Sequence, residues 1–165
     1  GHSSGSAFTH TFASTKTRNN FKNLSIDFAV VNSQYFLYPD SNRILNEALY
    51  LPTDCNNYND WPLGLTNCNP YIENLGWGIA SSNLIENKVD YFIGSNDTQT
   101  SDMSSGCAYD ILGEHRYEKT IKFNNYLDIS FSDNQHKYII VEGVGHSSIG
   151  MFSSEQFKNY LNVLF

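Results

Sequence analysis

Three short apolar runs constrain this chain more than any other feature of it. Ile26 to Val31 reads Ile-Asp-Phe-Ala-Val-Val, Val89 to Ile93 reads Val-Asp-Tyr-Phe-Ile, and Tyr138 to Val141 reads Tyr-Ile-Ile-Val. The first is almost continuously apolar, and such runs suit a parallel strand covered on both faces. The second ends in Gly94-Ser95-Asn96-Asp97 and the third in Gly143-Val144-Gly145, both turn-forming. Helical spacing lies around them. Ser6 to Ser14 places Ala7, Phe8, Phe12 and Ala13 on one face. Ser105 to Ser130 carries helical spacing broken at Gly113, with Tyr117, Ile121, Phe123, Tyr126 and Leu127 as packing positions. Glu155 to Leu164 predicts an amphipathic helix with Phe157, Tyr160, Leu161 and Leu164 inward. Between Tyr35 and Trp77 the pattern dissolves into Tyr, Asn, Pro and Gly, a long decorated loop region with short helices at most, and regular structure is expected again after Ser81. Loops of that length inside a compact domain are usually functional. The alternation predicts an α/β fold with a thin parallel sheet of three strands flanked by helices. No repeat or linker divides residues 1–165, enough for one domain.

Charge removes several classes of partner. Lys plus Arg number 10 against 17 Asp plus Glu, a formal charge of -7 with no basic cluster. Nucleic acid and anionic membrane surfaces are therefore poor partners. An aromatic share of 15% and a hydrophobic share of 40% exclude disorder. No apolar run approaches the roughly 18 residues that span a bilayer, and Gly1 to Ser6 is no secretory signal. The cysteines Cys55, Cys68 and Cys107 lack the short spacing of a zinc knuckle, so no metal is expected. Cys55 and Cys68 flank a loop-like stretch and are read either as a local disulfide, which implies an oxidising compartment, or as free thiols. Asn23-Leu24-Ser25 and Asn96-Asp97-Thr98 match the glycosylation sequon, a match that an Asn-rich chain produces by chance.

Gly1-His2-Ser3-Ser4-Gly5 matches G-x-S-x-G at the start of a predicted helix. In a nucleophile elbow the glycines permit a strained turn that holds the serine hydroxyl clear of the sheet. The helix that follows points its N-terminal amides at developing negative charge. A Gly/Ser-rich start is also what an expression-tag remnant looks like. Asp97 follows the strand Val89 to Ile93, and His146 follows the strand Tyr138 to Val141. The order Ser, Asp, His, with both partners at the carboxyl ends of parallel strands, is that of an α/β-hydrolase triad. Asp102 is the alternative acid, and Asp97 alone would pass for a turn cap. His2 is expected to pack beside Ser3; His10, His115 and His136 have no evident partner. Arg43 and Arg116 are expected to anchor loops through carboxylate pairs. Tyr35, Phe36, Tyr38, Tyr58, Trp61, Tyr71 and Trp77 crowd the central loops, either lining a substrate pocket, with Tyr35 and Trp61 foremost beside His2, or covering the sheet as ordinary packing.

With these residues the chain resembles the α/β-hydrolase superfamily of esterases and lipases, and more narrowly a group of fungal and microbial hydrolases. The matching pieces are Gly1 to Gly5, Asn32 to Tyr35, Cys55 to Pro62, Tyr91 to Asp97, Cys107 to Arg116 and Gly143 to His146, in the same order. The resemblance implies Ser3 as nucleophile, His146 as general base and acid, Asp97 as the residue orienting that histidine, and the Ser4 amide as one oxyanion donor. It implies an ester substrate, small or lipid or polymeric, no cofactor, and a secreted, endomembrane or vacuolar location. Such a fold places roughly five strands before the elbow. The expectation is therefore the carboxyl-terminal half of a hydrolase, completed by an upstream segment or a second chain that covers the edge of the strand Ile26 to Val31. The competing readings are a catalytically inactive hydrolase-derived subunit of a larger assembly and, last, carbohydrate binding through the loop aromatics.

Overall fold

The computed structural model describes residues 1–16, 24 and 26–164. Along the chain lie α1 (Ser4–Thr15), β1 (Phe28–Val31), β2 (Arg43–Leu45), β3 (Ala48–Tyr50), α2 (Pro70–Leu75), α3 (Trp77–Glu86), β4 (Val89–Gly94), α4 (Cys107–Asp110), α5 (Arg116–Ser130), β5 (Lys137–Val141), α6 (Ser148–Phe152) and α7 (Glu155–Leu164). β1, β4 and β5 form the main sheet in the order β1-β4-β5. Both pairs are parallel, with Val31 opposite Phe92 and Gly94 opposite Val141. His2 adds one parallel bridge to Val31 on the other side of β1.

The strand sequences are continuously apolar because successive side chains feed two different cores. On one face Phe28, Val30, Val89 and Tyr91 join Phe36, Tyr38, Phe123, Tyr126 and Leu127. On the other, Val31, Phe92 and Val141 meet Met151, with Phe157 and Tyr160 against them. Three strands thus carry a two-faced sheet, as the runs predict.

The region between Tyr35 and Trp77 is more ordered than its composition suggests. β2 and β3 form an antiparallel hairpin there, closed by Asn46 and Glu47, both at positive φ. Two three-residue strands around an Asn-Glu turn lack the Asn-Gly signature that marks most hairpins. Regular structure resumes at Pro70 and Trp77, before Ser81. Asn69 caps α2, accepting from the Ile72 amide at 3.1 Å. The central organiser is Arg43, fully buried. Its guanidinium lies 4.0 Å from the Tyr38 ring centroid and donates to the carbonyls of Asp40, Asn42, Tyr58 and Leu63. The expected carboxylate pair is replaced by loop carbonyls, which a planar five-donor group can gather.

Cys55 is bonded to Cys107 and not to Cys68. Cys55 lies in the larger core near Ala108 and Leu112, whereas Cys68 packs with Leu37, Leu65 and Ile72 in a separate cluster and is free. The break in the long helical stretch falls at Gly113, at φ 138. α6 has no counterpart in the sequence reading. In α7 Phe157 and Tyr160 face inward, while Leu161 is exposed.

Candidate active site

Parallel strands collect their carboxyl ends on one edge of the sheet, and loops from three of them meet there. The Ser3 amide donates to the Val31 carbonyl at 3.0 Å, which fixes the residue beside the end of β1. Ser3 then turns at φ 54, ψ -121, a conformation costly for a residue with a Cβ and one that occurs where surrounding structure imposes it. The turn is held by Gly5 N–H on His2 O at 3.0 Å and Ser6 N–H on Ser3 O at 2.9 Å. α1 starts immediately after, and among the described residues the Ser4 amide has no acceptor.

The other two loops are sewn together. Beyond β4, Asn96 N–H donates to Val144 O at 2.9 Å, and Asp97 N–H donates back to Gly94 O at 3.0 Å. Gly143 N–H donates to Ser95 Oγ at 2.8 Å. Gly94 permits this closeness, since a Cβ there would overlap the Val144 carbonyl oxygen.

The structure brings the three predicted residues together. His146 Nε2 lies 3.0 Å from Ser3 Oγ, and its Nδ1 lies 2.9 Å from Asp97 Oδ2. An ionised carboxylate only accepts, so Nδ1 carries the proton and Nε2 presents its lone pair to the serine hydroxyl. Asp97 is completely buried. Its second oxygen faces Arg116, Nη1 to Oδ1 3.6 Å, and Arg116 Nη2 donates to the Asp102 carbonyl at 3.2 Å. Asp102 therefore enters the site only as a backbone acceptor on that arginine, and its side chain is exposed. Arg116 does anchor a loop through a carboxylate, and the carboxylate is that of Asp97.

His2 stands beside this edge of the sheet, its ring centroid 4.8 Å from that of His146 and 6.1 Å from that of Phe152. Burial, and after it the neighbouring His146, lowers the pKa of His2. Tyr35 is half-buried against Tyr109 and the large core. Trp61 is placed elsewhere, in a surface cleft of about 330 Å³ with Phe8, Thr11 and Tyr71. Phe36 and Tyr38 are core residues; the Trp77 side chain and, in the sequon Asn23-Leu24-Ser25, Asn23 and Ser25 lie outside the described residues. His10 is buried between the Tyr91 hydroxyl at 3.1 Å and the Leu37 carbonyl at 3.2 Å. The sequence reading gives no role to Asn32, which appears there only as the start of the matching piece Asn32 to Tyr35; in the structure it bonds to Gly94 and Gly145 and lies against His2. Among the described residues no group of three metal-type ligands occurs, and no helix is long and apolar enough to cross a membrane.

No protein-family model and no curated protein matches the chain. Among solved structures it is similar to a poly(3-hydroxybutyrate) depolymerase from Bordetella parapertussis at 16% identity and TM-score 0.62. That likeness covers 100% of this chain and 48% of the depolymerase. It is also similar to poly(aspartic acid) hydrolase-1 from Sphingomonas sp. KT-1, at 16% identity and TM-score 0.63, over 99% of this chain and 52% of the other. The fold is of the α/β-hydrolase type. The chain spans about half the length of these structures.

Proposed function

We propose that this chain carries the Ser-Asp-His triad of a serine hydrolase that cleaves a carboxylic ester through an acyl-enzyme. The observation that carries the reading is the continuous relay from Ser3 Oγ to His146 at 3.0 Å and on to buried Asp97 at 2.9 Å, with Ser3 held in a strained turn. His146 Nε2 takes the hydroxyl proton as Oγ attacks the carbonyl carbon. The tetrahedral oxyanion receives the Ser4 N–H, which lies at the start of a twelve-residue helix. Collapse expels the alcohol, which takes the proton from His146; water then repeats the cycle and releases the acid. Asp97 stays ionised, holds the Nδ1–H tautomer and stabilises the imidazolium.

The substrate class follows the similar proteins only as far as their names reach. One acts on a polyester and the other on poly(aspartic acid), an amide-linked polymer; the same relay serves either bond. The ester reading is preferred because a serine relay meets a lower barrier with an alcohol leaving group than with an amine. The half-length match supports an upstream segment or second chain that completes the sheet beyond His2 and supplies the second oxyanion donor. The Cys55–Cys107 bond supports a secreted or luminal location.

The deciding experiment is reaction of the protein, as isolated, with a fluorophosphonate probe, followed by intact and peptide mass spectrometry. The expected result is one adduct, on Ser3, absent from Ser3→Ala. Folded protein that takes no label would sink the enzyme reading and favour an inactive subunit of a larger assembly.

A further inference from the structure

Asn32 follows β1 at φ 51, in the left-handed region that Asn tolerates better than most residues. Its side chain is completely buried and sits where the three loops of the site converge. The Gly94 amide donates to its Oδ1 at 3.0 Å. Its Nδ2 donates to the Gly145 carbonyl at 3.2 Å and lies 3.3 Å from His2 Nε2.

These partners leave no freedom in the carboxamide. A backbone N–H can only donate, so the atom facing Gly94 is the oxygen. A backbone carbonyl can only accept, so the atom facing Gly145 is the nitrogen. The second hydrogen of that NH₂ then points at His2 Nε2, which must present a lone pair. His2 is consequently neutral, with its proton on Nδ1.

We propose that Asn32 is a positioning residue for the hydrolytic relay, fixing His2 as a neutral neighbour of His146 while tying together the loops that carry Asp97 and His146. The proposal rests on the serine-hydrolase reading above. Its chemical sense lies in the imidazolium that His146 becomes when it takes the Ser3 proton. A second imidazolium with its centroid 4.8 Å away would oppose that charge. Around His2 the titratable and charged groups are His146, Asp97, Arg116 and the Gly1 amino group; none of them forms the bond to Nε2 that Asn32 makes. Gly145 immediately precedes His146, and Gly94 opens the turn to Asp97. One amide therefore sets the backbone on both sides of the relay and the protonation state beside it.

The test uses ¹⁵N-labelled protein and long-range ¹H–¹⁵N correlation of its five histidines. At neutral pH the wild-type His2 is expected to show an unprotonated Nε2 and a protonated Nδ1. A protonated Nε2 would overturn the inference with no substrate involved. Asn32→Asp keeps the Gly94 bond but turns an acceptor toward Gly145 O and His2 Nε2. It is expected to move the His2 proton to Nε2 or to make the ring a cation, and to slow fluorophosphonate labelling of Ser3 by about a hundredfold. Wild-type labelling rates in a folded Asn32→Asp protein would overturn the positioning role and leave the hydrolase reading intact. Absence of label on the wild type would remove the hydrolase reading and the positioning role with it, whatever the tautomer. Should Asn32→Asp fail to fold, the wild-type tautomer decides.

Discussion

Arg116 and Asp97 form a buried pair behind the relay: the guanidinium approaches the one carboxylate oxygen that His146 leaves free. Removing one partner of a buried pair strands the other charge, which costs more than the pair itself contributes. Arg116→Met is therefore expected to lose about 3 kcal/mol of stability or more, read as a lower urea midpoint, with loss of Ser3 labelling. Arg116→Lys should rescue only in part, because a point charge cannot hold both Asp97 and the Asp102 carbonyl. Full activity and stability in Arg116→Met would show that Asp97 needs no cation.

Asp97→Asn preserves the size of the side chain and removes its charge. The amide can donate to His146 Nδ1, which then loses its proton and offers Nε2–H to Ser3, the wrong tautomer for a base. Loss of activity by about ten-thousandfold is expected, on the scale seen for the same change in a serine protease triad, together with a lower Tm, because the buried Arg116 guanidinium is left without its carboxylate. A loss below tenfold would argue that Asp97 is only a turn residue.

Gly94 separates two loops that nearly touch. Gly94→Ala must push the Val144 carbonyl away and so displace the backbone leading to His146. A shift of about 1 Å at the reacting groups costs about a hundredfold in rate, so the variant should fold with a lower Tm and label Ser3 slowly. Unchanged labelling would mean the loop yields elsewhere.

The Cys55–Cys107 bond closes a separation of 52 residues and ties the hairpin region to the segment between Asp97 and Arg116. On the loop-entropy account it contributes about 4 kcal/mol. A non-reducing peptide map should show Cys55 joined to Cys107 with Cys68 alkylated as a free thiol. Cys107→Ser should unfold at a correspondingly lower denaturant concentration. A Cys55–Cys68 linkage in the map would refute the pairing.

The convergence of three side chains at one edge of the sheet is legible in the sequence. Ser3, Asp97 and His146 were readable because each adjoins a feature with its own physical signature: a glycine-flanked turn, or the end of an apolar strand. The parallel order then implies convergence. Long-range side-chain bonds leave no such mark. Asn32 and Arg116 act through contacts set by how loops from three strands pack, and Arg43 organises the central loops through carbonyls that carry no sequence identity. The disulfide has a related explanation: nearness in sequence offers Cys68 as a local partner, whereas Cys55 shares a core with Ala108 and Leu112. Trp61 and Tyr35 were grouped by composition, and the fold sends Trp61 to another surface cleft.

His10 offers a test of stability against pH that is independent of the chemistry. Its ring is sealed in the core among Phe36, Tyr91 and Phe123. Nε2–H can donate to Leu37 O while Nδ1 accepts from the Tyr91 hydroxyl, which satisfies the neutral ring completely. Burial holds the pKa down to about 4, against about 6.5 in the unfolded chain. The folded pKa is the lower one, so the unfolded state binds the proton first as pH falls. The contribution of His10 is thus intact above about pH 6.5 and is lost progressively toward pH 4, about 3 kcal/mol in all. Urea midpoints measured between pH 7.5 and 5 should fall on that account before the carboxylates begin to titrate. His136, also held near 4 by burial, acts in the same direction. In His10→Gln the slope between pH 6.5 and 5 should become shallower; an unchanged slope would show that His10 does not gain its proton on unfolding.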